Sequence, residues 1–184
     1  LSTAPRRWAA ELLHFWFQAL TPGDWFRPSP AVDAELRRRF APDLAMLSSR
    51  PSVEFLSDPL TARASVLLFD QIPRNIHRGT ARAFACDRLA RAIAIGALRR
   101  GWDSDLKPQE RQFLALPLMH SENIADQRLS REYFTRLGPR FGLPFARSHH
   151  RMIARFGRFP HRNAVLGRES TDAERRAVEA GFAW

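Results

Sequence analysis

Apolar residues at three- and four-residue spacing, interrupted at short intervals by proline and glycine, constrain this chain more than any other feature. Trp8, Leu12, Phe15, Trp16 and Ala19 recur on one face, with Leu13, Phe17 and Leu20 widening it. Residues 6–20 are therefore expected to form an amphipathic helix whose bulky aromatics belong to a core. Thr21-Pro22-Gly23-Asp24 ends it, and Trp25-Phe26 is placed to dock the next loop on the same core. Val32, Leu36, Phe40, Leu44 and Leu47 line a second helix opened by Pro30 and Asp33, with Pro42 expected to kink or restart it. No stretch reads convincingly as a strand.

The pattern continues to the end of the chain. Asp58 before Pro59 is an N-cap with proline at the first helical position, opening a helix that carries Leu60, Ala64, Leu67 and Leu68. Thr80 is expected to cap a helix from Ala81 to Arg100, with Ala85, Leu89, Ala92, Ile93 and Gly96 inside and Asp87–Arg91 as a surface pair. The next helix starts at Lys107-Pro108, buries Phe113 and Leu114, and is expected to stop at Pro117. Ser121 or Asn123 caps another, with Leu129, Tyr133 and Leu137 on its buried side and Gly138-Pro139 as its end. Pro144 opens a helix with Phe145, His149, Met152, Ile153 and Phe156 on one face, His150 pointing elsewhere, and a last short helix lies between Ser170 and Phe182. The expectation is a single all-α domain over residues 1–184: about eight helices as antiparallel hairpins, in a helical stack or bundle.

At this length a single core buries about 70% of the surface of the unfolded chain, so no covalent staple is required. The single cysteine, Cys86, reads as a half-buried apolar residue, which suits a reducing compartment. No apolar run approaches the roughly 18 residues of a membrane span, and Leu1 to Trp8 lack the apolar stretch of a secretion signal. A cytoplasmic protein away from membranes is expected, with a few residues preceding Leu1. The net charge of +10 raises nucleic acid as a partner. The basic residues are arginines apart from Lys107, scattered among acids, and Arg37-Arg38-Arg39 reads as a solvated face, so nucleic-acid binding is the minor reading.

Three polar stretches interrupt the helices. Asp70-Gln71-Ile72-Pro73-Arg74-Asn75 follows directly on apolar Val66 to Phe69, although Pro73 is incompatible with an undistorted helix interior. His120-Ser121-Glu122-Asn123 follows Leu118-Met119, with Asp126 and Gln127 just beyond. Arg155 to Gly167 crowds Arg158, His161, Arg162 and Asn163 around Pro160. The first and third echo each other: an apolar residue before proline, then Arg-Asn, then glycine four residues after the asparagine. Asparagine and glycine both tolerate left-handed backbone, so the plainest reading of the echo is a repeated way to end one helix and start the next.

These stretches resemble the bacterial proteins of unknown function called DUF924, also described as tetratricopeptide-like. The resemblance lies in Leu67 to Asn75 with Arg78-Gly79-Thr80, in Leu116 to Glu122 with Asp126-Gln127, in His149 with Ile153 and Arg155 to Gly167, and in His14-Phe15-Trp16-Phe17. Phe69 stands where that family more often has leucine and Asn123 where it more often has an acid. The resemblance implies stacked helical hairpins and no particular activity or cofactor. A tetratricopeptide label rests on architecture, since no clear consensus of that repeat is present.

Asp70, Arg74, Asn75, His120, Glu122, His149, Arg158, His161, Arg162 and Asn163 are the candidate ligand-binding residues, all at helix ends or on a buried face. The simplest arrangement is an internal polar network in which Asp70 and Glu122 pair with Arg74, Arg158 or Arg162. The functional arrangement expected first is a pocket for an anionic small molecule or peptide, since guanidinium forks suit carboxylates and phosphates. An enzyme is the alternative, with His120 or His149 as general base oriented by Asp70 or Glu122. No metal site is expected, because the chain has no HExxH motif or cysteine cluster and adjacent His149 and His150 cannot share a helix face.

Overall fold

The computed structural model describes residues 6–182, and among them there is no strand. The helices are α1 (Arg7–His14), α2 (Pro22–Phe26), α3 (Pro30–Leu47), α4 (Pro59–Val66), α5 (Ile72–Ile76), α6 (Asp87–Arg99), α7 (Pro108–Met119), α8 (Ile124–Leu137), α9 (Leu143–Phe156) and α10 (Asp172–Glu179). Short connections return the chain along its previous helix, so α6 packs on α7, α7 on α8 and α8 on α9 in sequence, while α4 meets α1 and α6. No helix among the described residues is long and apolar enough to cross a membrane.

Two helices continue into π-helical turns, each with an identifiable cause. After α1 the Leu20 amide donates to the Phe15 carbonyl (3.1 Å) instead of that of Trp16. The Trp16 carbonyl then accepts the Trp25 indole N–H at 2.8 Å, which fastens α2 onto the first helix. After α4 the turn Leu67–Gln71 leads directly into Pro73, which has no amide proton to donate. Side chains serve the backbone there: Arg74 Nη1 donates to the Asp70 carbonyl and Asn75 Nδ2 to the Gln71 carbonyl, both at 2.9 Å.

Other expectations are corrected. Pro42 and Pro117 neither restart nor stop their helices: α3 runs through Pro42, and α7 ends two residues beyond Pro117. The predicted helix over residues 81–100 is a 3₁₀ turn, Ala81–Phe84, followed by α6, because the Thr80 hydroxyl donates to the His77 carbonyl (2.8 Å) rather than capping. Leu60, Leu129 and Phe145, assigned to inner faces, are exposed. Asn123, not Ser121, caps α8, accepting from the Ala125 amide at 2.8 Å.

The main core joins α1, α3, α4 and α6 to α9, with Phe113 of α7 as a hub: the rings of Trp16, Phe17, Trp25 and Phe26 lie 5.2 to 6.0 Å from its centroid. A smaller cluster, Met152, Ile153, Phe159 and Ala177, seals the C-terminal end. The polar stretches meet where these two clusters adjoin. Asp70 emerges between Phe69 and Ile72 of the first, and Phe159 of the second faces His149.

Candidate functional site

Asp70 is fully buried, and Gln71 Nε2 (2.6 Å) and Arg74 Nη1 (3.3 Å) approach its carboxylate. From the far side of the chain, His120 at the end of α7 places Nδ1 2.7 Å from Asp70 Oδ1. Burial alone would push the Asp70 carboxyl up, but its partners His120 and Arg74 outweigh it and hold the group below the usual carboxylate range. Burial lowers His120, with Asp70 opposing, so at neutral pH the arrangement is a carboxylate accepting from Nδ1–H of a neutral imidazole. That bond leaves Nε2 of His120 as the basic nitrogen.

His149 stands beside it, ring centroids 6.4 Å apart, with its Nδ1–H donated to the Phe145 carbonyl at 2.8 Å. Burial first, then the field of His120, pushes His149 down to about 3. His161, near Phe159, is brought down to about 4 by burial and by Arg162. Three neutral histidines thus converge from three separate stretches.

The arginines converge on a residue that sequence reasoning had placed at the surface. Arg74 grips Asp87 with two bonds (2.7 and 3.0 Å), and Arg162 Nη1 reaches the same carboxylate at 3.4 Å. Both guanidinium groups lie over the Phe84 ring, at 5.3 and 4.5 Å, and Arg162 is also 4.5 Å from the centroid of Phe159. The two echoing turns therefore meet: their arginines share one carboxylate and one ring. Gly79 and Gly167 both adopt positive φ, +77° and +65°, as the echo requires, whereas neither asparagine does. Asn163 instead ties its loop together, donating to Ser170 Oγ (3.0 Å) and accepting from Arg168 Nε (2.9 Å).

Glu122 sits at the edge of this cluster, accepting from the Phe159 amide (2.7 Å) and from both terminal nitrogens of Arg168 (2.8 and 2.9 Å). Arg158 lies apart, bound to Glu174 and the Glu169 carbonyl, where it anchors α10. Asn75 also serves the backbone of its own turn. Asp126 is held by Arg91 and by the Ser121 hydroxyl, and Gln127 bridges the Met119 and Ser121 carbonyls, so both build the α7–α8 turn. The expected surface pair Asp87–Arg91 does not exist, since each residue reaches across to a different helix or turn. Phe84, Asp87 and Arg168 were missed; the one available signal was that Arg74 and Arg162, if buried, needed a carboxylate beyond Asp70.

Arg162 is the least completed member. It is 6% exposed, and among the described residues its Nε–H has no hydrogen-bond partner and its single ionic contact is to a carboxylate already gripped by Arg74. Burial and the neighbouring Arg74 bring its guanidinium down to about 10. No group of three or more histidine, cysteine, aspartate or glutamate side chains among the described residues is arranged to hold a metal ion.

A family model described as bacterial protein of unknown function (DUF924) matches residues 12–181. A solved structure of a protein of unknown function from Agrobacterium tumefaciens is 39% identical, with a TM-score of 0.88 over 94% of this chain and 97% of that one. No curated protein matches.

Proposed function

The chain belongs to the DUF924 family of bacterial proteins of unknown function, and from that premise we propose that its buried polar cluster is a binding site for a small carboxylate- or phosphate-bearing ligand. The observation that carries this is Arg162: a nearly buried guanidinium with an unpartnered Nε–H and a shared, long contact to its counter-ion. A buried cation so incompletely paired costs stability unless something else completes it. An oxyanion against the Nε edge would accept the unpartnered N–H as one of a forked pair of bonds. His120, His161 and Arg74 are only partly buried and form the side from which a ligand would enter.

The test is thermal stabilisation by a panel of small carboxylates and phosphates at pH 7.5, on the native chain and on Arg162→Met. An anion held at about 100 times its dissociation constant adds about 2.7 kcal/mol, a rise of about 5–10 °C for a chain of this size. That rise is expected to vanish in Arg162→Met. A panel in which every anion shifts both proteins equally overturns the proposal.

The Asp70–His120 contact favours a second reading, in which the bound ligand is also a substrate. A carboxylate that fixes the Nδ1–H tautomer presents Nε2 as a general base, the orientation an acid–base enzyme needs. On that reading Asp70→Asn would abolish turnover of a ligand that Arg162 still binds.

A further inference from the structure

Some arginines of the molecule pair with acids, as Arg63 does with Glu110, Arg91 with Asp126 and Arg168 with Glu122, and others, such as Arg88 and Arg155, make no ion pair among the described residues. In the seam between α8 and α9, arginines without an acid partner gather on two packed helices. Arg128, Arg131 and Thr135 follow one another at i, i+3 and i+7 on α8, and Arg147 and Arg151 at i, i+4 on α9, which packs against it. Arg131, Thr135, Arg147, His150 and Arg151 line an open groove of about 360 Å³ that contains no carboxylate. None of these four arginines lies within salt-bridge distance of an acid among the described residues. The one glutamate on α8, Glu132, pairs with Arg136. Burial and then the charges of Arg131 and Arg128 depress His150, which reports a positive field in the groove. Like charges at i, i+4 cost a helix a few tenths of a kcal/mol, so the fold gains nothing from this arrangement.

We infer that the α8–α9 groove binds a short oligophosphate, two or more phosphates in a row, between the arginines of the two helices. Guanidinium forks are donors suited to phosphate oxygens, while the Thr135 hydroxyl already donates to the Arg131 carbonyl at 2.7 Å. Arg147 and Arg151 are about 6 Å apart along the helix axis, so successive phosphates can be gripped from one side while Arg131 closes the other. Apart from the His150 imidazole the lining contains no aromatic ring, and it has no apolar side chain to hold an acyl group, so recognition falls chiefly on the phosphates. The site is separate from the buried cluster: His149, which faces that cluster, and His150, which faces the groove, point to different sides of α9.

The test is calorimetric titration with inorganic tripolyphosphate, orthophosphate and citrate at physiological salt. Saturable binding of tripolyphosphate is expected, with orthophosphate and citrate weaker by at least about tenfold. Losing one charged hydrogen-bond donor is worth about tenfold, so Arg147→Gln with Arg151→Gln should weaken tripolyphosphate by about 100-fold. These exposed substitutions leave the core untouched, and unchanged circular dichroism and melting confirm a folded variant. Arg162→Met should bind tripolyphosphate as the native chain does, whatever it does to the buried site. Absence of saturable tripolyphosphate binding, citrate binding as tightly as tripolyphosphate in a manner that depends on Arg147 and Arg151, or tripolyphosphate binding in Arg162→Met that survives Arg131→Gln/Arg147→Gln/Arg151→Gln each overturns the inference, whereas citrate binding that depends on Arg162 alone belongs to the buried site. So does a 12-nucleotide RNA that binds at this groove and is not displaced by tripolyphosphate, which would make the surface a nucleic-acid track instead.

Discussion

Asp87 holds two arginines that no sequence spacing would bring together. An acid four residues before an arginine in the first turn of a helix is ordinarily a surface pair worth a few tenths of a kcal/mol. Here both partners have stronger claims elsewhere, Asp87 on Arg74 and Arg162, Arg91 on Asp126. Replacing Asp87 with Asn is expected to cost about 2 kcal/mol, the value of a charged hydrogen bond, since it leaves the buried Arg162 and the partly buried Arg74 facing each other with one fewer counter-charge. The same variant should respond more strongly than the native chain to added small anions, because an external oxyanion can take the vacated place. Urea titrations with and without the anion panel separate the two effects, and a variant that is neither destabilised nor more responsive would remove Asp87 from the site. The residue types of the cluster were legible because proline, glycine and polar groups interrupted apolar runs. Their pairing was not, since spacing along a helix says which residues share a face and nothing about what lies opposite.

At the scale of elements, helix existence followed from periodicity, and failures occurred where a tertiary contact overrode local rules. Pro73 flagged a distorted turn correctly, because a missing amide must be answered somewhere, and the side chains of Arg74 and Asn75 answer for the carbonyls around it. The π turn after α1 left no comparable mark, for its cause is the indole of Trp25 claiming a carbonyl nine residues back. Pro42 and Pro117 carried the same local penalty as Pro73 without ending their helices, because the flanking turns are held by packing: Phe40 and Leu44 are buried around one, Leu116 and Leu118 around the other. Phe113 measures how much such packing is worth. It is 1% exposed and joins α7 to α2 and to the π turn after α1 through four aromatic neighbours. Phe113→Ala is expected to lose about 3–5 kcal/mol, and Phe113→Leu much less, by chemical denaturation. A loss below about 1 kcal/mol for alanine would mean that the surrounding rings collapse into the space.

For the whole molecule, the buried histidines couple stability to pH in a direction fixed by their shifts. Above the ordinary histidine value of 6.5 neither the folded nor the unfolded chain binds these protons, and they contribute nothing. Below 6.5 the unfolded chain takes up protons that folded His149 refuses until about 3 and folded His161 until about 4. Each such proton costs the folded state about 1.4 kcal/mol per pH unit, so the pair removes about 4 kcal/mol by pH 5. Carboxylates held low by arginine add a second loss at lower pH: Glu174, brought down to about 2 chiefly by Arg158, contributes stability that begins to disappear below about 4.5. Two descents are therefore expected in urea midpoints measured from pH 8 to pH 3, the upper from imidazoles and the lower from carboxylates. His149→Gln with His161→Gln should flatten the upper descent and leave the lower one in place. Full native stability retained down to pH 4.5 would contradict the closed, neutral histidine cluster on which the buried site is built. A ligand that brings its own negative charge to Arg162 would favour protonation of the imidazoles around it, so the upper descent should become shallower when that site is filled.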